Sequence, residues 1–353
     1  MFDLHVVGAG PAGSIAALSA IRHHNFNVLV SEEHQSAGVP AHCSGLFSKD
    51  GLLSLSDFFD YRKFVINSIR GAIFNLAGEE FVVATRNDIA YVCARQLIDK
   101  ELAAAAEKEG AKIDYHSRIT DKFAAKNIIG ADGANSSVAS YFRFPKIRKF
   151  VLTQRAILKY EAENKHMVEV FLSNKIPGFF GWIIPHNESF AEFGCGVLLP
   201  NNARNAFMFL LHIKGIKKVP KITSAIIPIA LREKTSGSFN GKNVLLVGDA
   251  AGQTKASTGG GVIFGASCAR YAGKYANNPF FYEIAWRRRY YLDLYIHSLI
   301  HEFYSRRSDE ELRAISKKIK EKRLDKYLSL HGHMDKPTKI IKPALLIHLL
   351  KNL

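Results

Sequence analysis

Gly8, Gly10 and Gly13 stand in Gly-x-Gly-x-x-Gly spacing, and Glu32 follows Gly13 by nineteen residues. Glycines at these steps let a turn close tightly, a pyrophosphate approach the backbone, and a helix pack closely on a strand. The start of that helix offers free N–H groups to phosphates, and an acid at the position of Glu32 accepts hydrogen bonds from a ribose hydroxyl. The chemistry is that of holding an adenine dinucleotide; a glycine-rich turn in an unrelated α/β fold is the bland alternative. Two more turns carry acids, Gly130-Ala-Asp132-Gly133 and Gly248-Asp249, the second trailed by Gly259-Gly260-Gly261-Val262. Asp249, after a buried apolar run, is placed to accept hydroxyl hydrogen bonds, and three successive glycines let a flat ring system lie close to backbone N–H groups. Cys43 offers a weakly acidic thiol. Its neighbour His42 is either a proton relay near neutral pH or incidental.

These residues need elements to hold them. The apolar run to Val7 predicts a buried parallel strand, residues 11–21 a helix, and residues 27–31 the second strand of a βαβ unit. Residues 36–48 form a glycine- and proline-punctuated loop too long for a simple connector, of the kind that carries chemistry at the carboxyl ends of parallel strands. Residues 66–85 alternate as strands of a second sheet. Residues 91–110 predict a helix with Leu97, Ile98, Leu102 and Ala105 at helical spacing, Arg95 in its first turns and Gly110 as its stop. Residues 127–130 and 241–247 predict buried strands that lead into the two acidic turns. Residues 151–199 read as a run of strands packed with aromatic residues, among them Phe179, Phe180 and Trp182. From Phe280 onward the chain is aromatic-rich, basic helix.

A chain of 353 residues with 47% hydrophobic content buries a full core and suits a soluble α/β protein. No apolar stretch has the length of a transmembrane helix, and a strand beginning at residue 2 leaves no room for a signal peptide. Four widely spaced cysteines with no Cys-x-x-Cys pair argue against structural zinc and for a reducing, cytoplasmic setting. Cys93, Cys195 and Cys268 are expected as buried apolar fillers. The net charge is +16, and residues 286–353 hold 16 Lys and Arg against 8 Asp and Glu, half of the excess in the last fifth. No nucleic-acid motif accompanies that charge, so nucleic acid is the weakest explanation. An anionic membrane surface attracts such a cluster, with each Lys or Arg worth about 1 kcal/mol; a basic proteome is the other reading.

The ordered triplet of glycine turns resembles the signature of the FAD-dependent hydroxylase-like superfamily, which makes FAD the expected cofactor. Within it the chain is similar to the archaeal geranylgeranyl reductase family, enzymes that saturate isoprenoid chains of membrane lipids. Gly38-Val-Pro40-x-x-Cys43-Ser44-Gly45 resembles the family's loop with a cysteine beside the flavin. Arg95-x-x-Ile98-Asp99-x-x-Leu102-Ala103 resembles its helix whose arginine contacts FAD. Phe180-x-Trp182-x-Ile184-Pro185 resembles its Tyr-x-Trp-x-Phe-Pro motif lining the lipid pocket, and Asp249-Ala-Ala-Gly252 with its trailing glycines resembles its Gly-Asp-Ala-Ala-Gly signature. Weaker likeness reaches the Trp286 helix and residues 331–337.

The resemblance implies cofactor contacts at Gly8, Gly10, Gly13, Glu32, Cys43, Ser44, Arg95, Asp132, Asp249, Gly260, Gly261 and Val262. It implies a substrate wall at Phe179, Phe180, Trp182 and Pro185, and no metal. Cys43 is the candidate catalytic residue, its alternative being a small residue that fits beside the ring; the alternatives for Arg95 and for the aromatics are a solvated helix arginine and plain strand core. Phe180 departs from the family's Tyr, Ile184 from its Phe and Ala256 from a frequent proline, so no phenol hydroxyl is available at 180.

The expected fold is α/β: a Rossmann-like FAD-binding domain from residues 1–60, 86–145 and 240–279, a substrate-binding sheet domain from 61–85 and 146–239, and a helical C-terminal region from 280. The expected activity is FAD-dependent reduction of geranylgeranyl or polyprenyl C=C bonds on archaeal-type lipids, at the surface of a membrane, with NAD(P)H or ferredoxin as electron donor. A flavin monooxygenase or halogenase, or a non-catalytic prenyl-lipid-binding flavoprotein, is the alternative. The basic, apolar residues 339–353 are expected either to anchor at an interface or to pack on the body.

Overall fold

The computed structural model describes residues 1–40, 43–218 and 221–340. His42 and most of the apolar segment 339–353 therefore lie outside the described residues. The chain begins with β1 (Leu4–Val7), α1 (Pro11–His24) and β2 (Val28–Ser31). Both strands are buried along their whole length, as strands covered on two faces must be. Next come β3 (Leu46–Ser48), α2 (Lys49–Leu53), β4 (Val65–Ile69), β5 (Gly71–Leu76), β6 (Glu79–Ala84) and β7 (Ala90–Cys93). Then follow α3 (Arg95–Lys108), β8 (Lys112–Asp114), β9 (Asn127–Gly130) and α4 (Ser137–Tyr141). The middle of the chain is β10 (Phe150–Lys159), β11 (Met167–Leu172), β12 (Gly181–Pro185), β13 (Phe190–Leu198), α5 (Ala203–Ile213) and β14 (Thr223–Pro228). The last strands, β15 (Ser236–Phe239) and β16 (Lys242–Leu246), precede α6 (Val262–Lys274), α7 (Pro279–Ser305), α8 (Asp309–Glu321) and α9 (Leu324–His331).

The strands form three sheets. A six-stranded sheet runs β15-β16-β9-β1-β2-β8, with β16, β9, β1, β2 and β8 parallel. A seven-stranded sheet runs β14-β10-β13-β12-β11-β5-β6, and a small one runs β3-β7-β4. The largest core lies around α1, α6 and α3 on the six-stranded sheet, with Trp286 and Tyr282 of α7 fully buried in it. α5 covers one face of the seven-stranded sheet through Phe207, Leu210 and Leu211. This is the doubly wound α/β architecture with a second sheet and a helical C-terminal region that the sequence led us to expect. Among the described residues no helix is long and apolar enough to cross a membrane.

One element differs from its sequence reading. Residues 90–93 are strand, not the start of the helix, because Tyr91 and Val92 pair antiparallel with Phe47 and Leu46 on one side and with Ser68 and Asn67 on the other. The helix starts at Arg95 and turns Ile98, Asp99, Leu102, Ala103 and Ala106 inward, leaving Leu97 exposed. Gly110, at φ +107°, follows its end as expected.

Candidate active site

Three turns leave the carboxyl ends of neighbouring strands: after Val7 of β1, after Gly130 of β9 and after Leu246 of β16. Gly8 takes φ +100°, and a Cβ there would sit 2.5 Å from the Ala131 carbonyl oxygen, so the first two turns touch. A Cβ on Gly13 would overlap the Gly8 carbonyl, which is how α1 packs down onto the end of β1. Gly10 is the opposite case. Nothing lies within 4 Å of where its side chain would be, so the backbone at the start of α1 faces open space.

The helix starts bordering this space are bare. Gly10 before α1, Ala94 before α3 and Gly261 before α6 provide no side-chain cap. Their first-turn N–H groups remain as donors with the positive end of a helix dipole behind them. Asp249 stands among them, half-buried, with one carboxylate oxygen 2.8 Å from where a Cβ on Gly261 would be. Its side chain takes no hydrogen bond from the described residues, and burial, opposed by Arg95, pushes its carboxyl up to about 6. Glu32 accepts from the Ala9 N–H at 2.8 Å and from the His34 N–H at 3.0 Å, with the His34 ring at 2.8 Å. A carboxylate has about four acceptor positions, so Glu32 retains one. Bare helix starts, an open glycine and a half-buried carboxylate with no hydrogen-bond donor among the described residues fit an adenine dinucleotide.

Asp132 lies in the second turn, but its carboxylate serves the chain itself. It accepts from the Ser136 hydroxyl at 2.6 Å, the Ser137 hydroxyl at 2.9 Å and the Val138 N–H at 3.0 Å, fixing the start of α4.

The loop bearing Cys43 folds back on α3. Arg95 donates from Nε and Nη2 to the two Asp99 oxygens at 2.6 and 2.9 Å, a bidentate pair inside one helix turn. Burial works against the guanidinium's charge, yet Asp99 and the neighbouring Cys43 thiol hold its pKa above the ordinary value. Arg95 thus bonds within the start of α3 and stands within electrostatic reach of two sequence-distant pieces, the Cys43 loop and the Asp249 turn. Its solvated-arginine alternative does not describe this side chain. Ser44 is half-buried beside them and accepts a long hydrogen bond from the Leu46 N–H. The expected fillers Cys93, Cys195 and Cys268 are buried free thiols, and burial pushes Cys93 and Cys195 up to about 12.

The aromatic segment meets the glycine loop. The Phe179 ring lies 3.4 Å from where a Cβ on Gly259 would be, and it stacks on Phe180 with centroids 4.3 Å apart. Phe180 in turn is 5.8 Å from Trp182, whose indole N–H donates to Glu192 at 3.0 Å; Glu192 is wholly buried and paired with Arg155. Trp182 and Ile184 share the face of β12 that meets Leu46, Val92 and Met334, making an apolar layer between the seven-stranded and three-stranded sheets. Pro185 is not brought into that layer. Strand alternation puts it on the Ile183 side, where β12 faces α5, and its carbonyl accepts from the Asn67 side chain.

One polar cluster escaped the sequence reading. Lys255, within the glycine loop, forms a buried ion pair with Asp335 at 2.7 Å, and Asp335 also accepts from the Ser48 hydroxyl. Burial works against the Asp335 carboxylate, but Lys255 and Ser48 hold its pKa below the usual range. The Lys255 stem lies so close over Gly260 that a Cβ there would come within 2.7 Å of it. Ser257 bonds His297 Nδ1 of α7 at 2.6 Å, and burial, with Lys255 nearby, pushes that imidazole down to about 3. The one signal in the sequence was a lysine inside an otherwise uncharged loop, residues 250–261.

No protein-family model matches the chain. Digeranylgeranylglycerophospholipid reductase of Methanocaldococcus jannaschii is 29% identical over 91% of each chain. A geranylgeranyl bacteriochlorophyll reductase-like protein from Thermoplasma acidophilum superposes with a TM-score of 0.82 at 21% identity, over 99% of this chain and 98% of that one. A flavin-dependent brominase superposes at 0.69 with 15% identity over 99% and 98%. The two structural likenesses establish the fold, which is shared with flavin-dependent enzymes. In sequence, along nearly its whole length, the chain is similar to the archaeal digeranylgeranylglycerophospholipid reductases, the resemblance its motifs carry.

Proposed function

We propose that this protein is an FAD-dependent reductase that saturates C=C bonds of geranylgeranyl or related polyprenyl chains on membrane lipids. The observation that carries the reading is the contact of Phe179 with Gly259, which sets the aromatic segment and the apolar layer beyond it against the glycine loop. Bound FAD would supply the hydride. The bare starts of α1 and α6 would hold its pyrophosphate and ring, Glu32 and Asp249 its hydroxyls, and Arg95 would fix the Cys43 loop beside it. Asp132 is placed one step back, as the residue that shapes the second turn. Phe179, Phe180 and Trp182 exclude water from the reacting chain. Phe180 has no hydroxyl, so the proton for the second carbon is assigned to Cys43 Sγ. Residues 1–60, 86–145 and 240–279 act as the cofactor-binding domain, 61–85 and 146–239 as the substrate domain, and 280–353 as the helical cap. NAD(P)H or ferredoxin supplies electrons, and the protein works at the cytoplasmic surface of a membrane.

The test is anaerobic. Protein with its flavin absorption verified is reduced with dithionite and mixed with unsaturated archaeal-type lipid, and the lipid is weighed by mass spectrometry. Mass gain in steps of two hydrogens is the expected result. An unchanged lipid with a reduced flavin defeats the reading. Substrate-dependent oxygen consumption would then favour the monooxygenase or halogenase reading, whose observation is the shared fold with a flavin-dependent brominase. Tight lipid binding without redox change would favour a non-catalytic flavoprotein.

A further inference from the structure

Helix α7 has two unlike faces. Inward, Tyr282 donates to the Leu246 carbonyl, Trp286 to Thr235, and His301 bonds the Gly178 carbonyl. Outward, over its first sixteen residues or so, Phe280, Phe281, Ile284, Tyr291, Leu292 and Tyr295 are all exposed, Phe280 to 68%. At about 100° per residue, positions 280, 284, 288, 291 and 295 fall within a stripe about 80° wide, with 281 and 292 along its edge. The stripe holds an arginine, Arg288, at one margin; Arg289 is exposed too, but about 100° beyond that margin. Neither forms an ion pair among the described residues.

The helix's acids in this stretch are turned away. Glu283 accepts from the Thr235 and Ser236 hydroxyls and pairs with Arg287. Asp293 is buried and accepts from the N–H and hydroxyl of Thr338. What remains outside is aromatic, aliphatic and cationic, with no carboxylate.

We infer that this face of α7 is the surface by which the protein lies on an anionic lipid bilayer. Rings and aliphatic chains suit the headgroup–acyl boundary, and the Arg288 guanidinium suits lipid phosphates. The charge is complementary, since the one charged side chain in the stripe is cationic and the chain as a whole carries +16. A second copy of the chain is a poorer occupant, because antiparallel self-pairing through this stripe would set Arg288 against its own copy. The inference deepens the proposed function and rests on it for its purpose, because an enzyme for membrane lipids must hold to their bilayer. The face belongs to the helix that also contacts Ser257 of the glycine loop and Gly178 beside Phe179.

The experiment floats the full-length, flavin-loaded protein with vesicles of phosphatidylglycerol or of phosphatidylcholine. Wild type is expected on phosphatidylglycerol vesicles, less so as salt rises, and poorly on phosphatidylcholine. Two variants, Phe280→Ser/Ile284→Ser/Leu292→Ser and Arg288→Glu, are each expected to lose about tenfold or more in partitioning with unchanged Tm and flavin absorption. Turnover on detergent-dispersed lipid should persist in both variants while turnover on vesicles falls. Wild type that ignores phosphatidylglycerol, or variants that bind as wild type does, would overturn the inference. So would light scattering that shows a wild-type dimer split by these substitutions. If wild type floats but reduces no lipid in either form, the reductase reading fails and the surface stands.

Discussion

The helix starts that border the candidate site and those elsewhere follow different rules. α1, α3 and α6 begin at Gly10, Ala94 and Gly261 with no side-chain cap. α2, α4, α5, α7 and α8 begin with Ser48, Ser136, Asn202, Asn278 and Ser308, each accepting from a first-turn N–H. Among the described residues α9 is the one other bare α-helix start, at Arg323. A serine cap is worth about 1 kcal/mol over alanine and a few tenths over glycine, so the site forgoes about 1 kcal/mol at Ala94 and a few tenths at each of Gly10 and Gly261. Half-buried Asp249, with its raised pKa, adds to the deficit. The lesson is that these starts are unfinished without a ligand, and that an anionic one with hydroxyls would complete them.

The largest test separates packing from binding. Gly13→Val puts a branched side chain into the Gly8 carbonyl, and the loss of α1–β1 packing should leave no folded protein by circular dichroism. A folded Gly13→Val variant would mean that the turn is looser than its geometry. Next in size is the cofactor. At a thousandfold excess over its Kd, FAD should stabilise the fold by about 4 kcal/mol, raising Tm by several degrees. An unmoved Tm would break the comparison, since the bare starts would then not be awaiting FAD.

Asp249 gives a pH test of the same deficit. Its folded pKa, about 6, lies above the ordinary 3.8. Well below pH 4 the Asp249 carboxyl is protonated in both states and its burial takes nothing from the stability of the apoprotein. As pH rises the unfolded chain ionises first, so stability falls until the folded carboxyl also ionises near pH 6, by up to about 3 kcal/mol. Asp249→Asn should remove that fall. It should match wild type at acid pH, exceed it at neutral pH in urea unfolding, and bind FAD more weakly. Equal pH profiles for the two apoproteins would show that Asp249 is well solvated.

How much of this was legible depends on distance along the chain. β1, α1, β2 and Glu32 lie within one short stretch, and their spacing alone places them. The Asp132 turn was half legible: Ser136 and Ser137 follow within five residues and carry a capping signal, which the motif reading passed over in favour of a cofactor contact. The strand at Ala90–Cys93 was not legible, because what makes it strand is pairing with residues 46–48 and 65–69. Lys255 and Asp335 are eighty residues apart and meet only through the packing of the C-terminal segment. The aromatic motif was legible as a motif, but no periodicity places Phe179 against Gly259 or turns Pro185 away.

The smallest effect sharpens the comparison most. Gly10 occupies the N-cap position of α1 with φ −65° and ψ 179°, the extended backbone that a serine cap uses, and open space surrounds its α-carbon. Gly10→Ser therefore needs no rearrangement. Its hydroxyl can accept from a first-turn N–H, as Ser48, Ser136 and Ser308 do in their own helices. The expected gain in apoprotein stability is only a few tenths of a kcal/mol, within reach of paired urea titrations. FAD affinity should move the other way, by tenfold or more, because the same hydroxyl stands where the backbone must meet a pyrophosphate. A substitution that finishes the helix and closes the site is what a ligand-completed start requires. If Gly10→Ser left both stability and FAD affinity unchanged, the bare start of α1 would be a matter of glycine geometry alone.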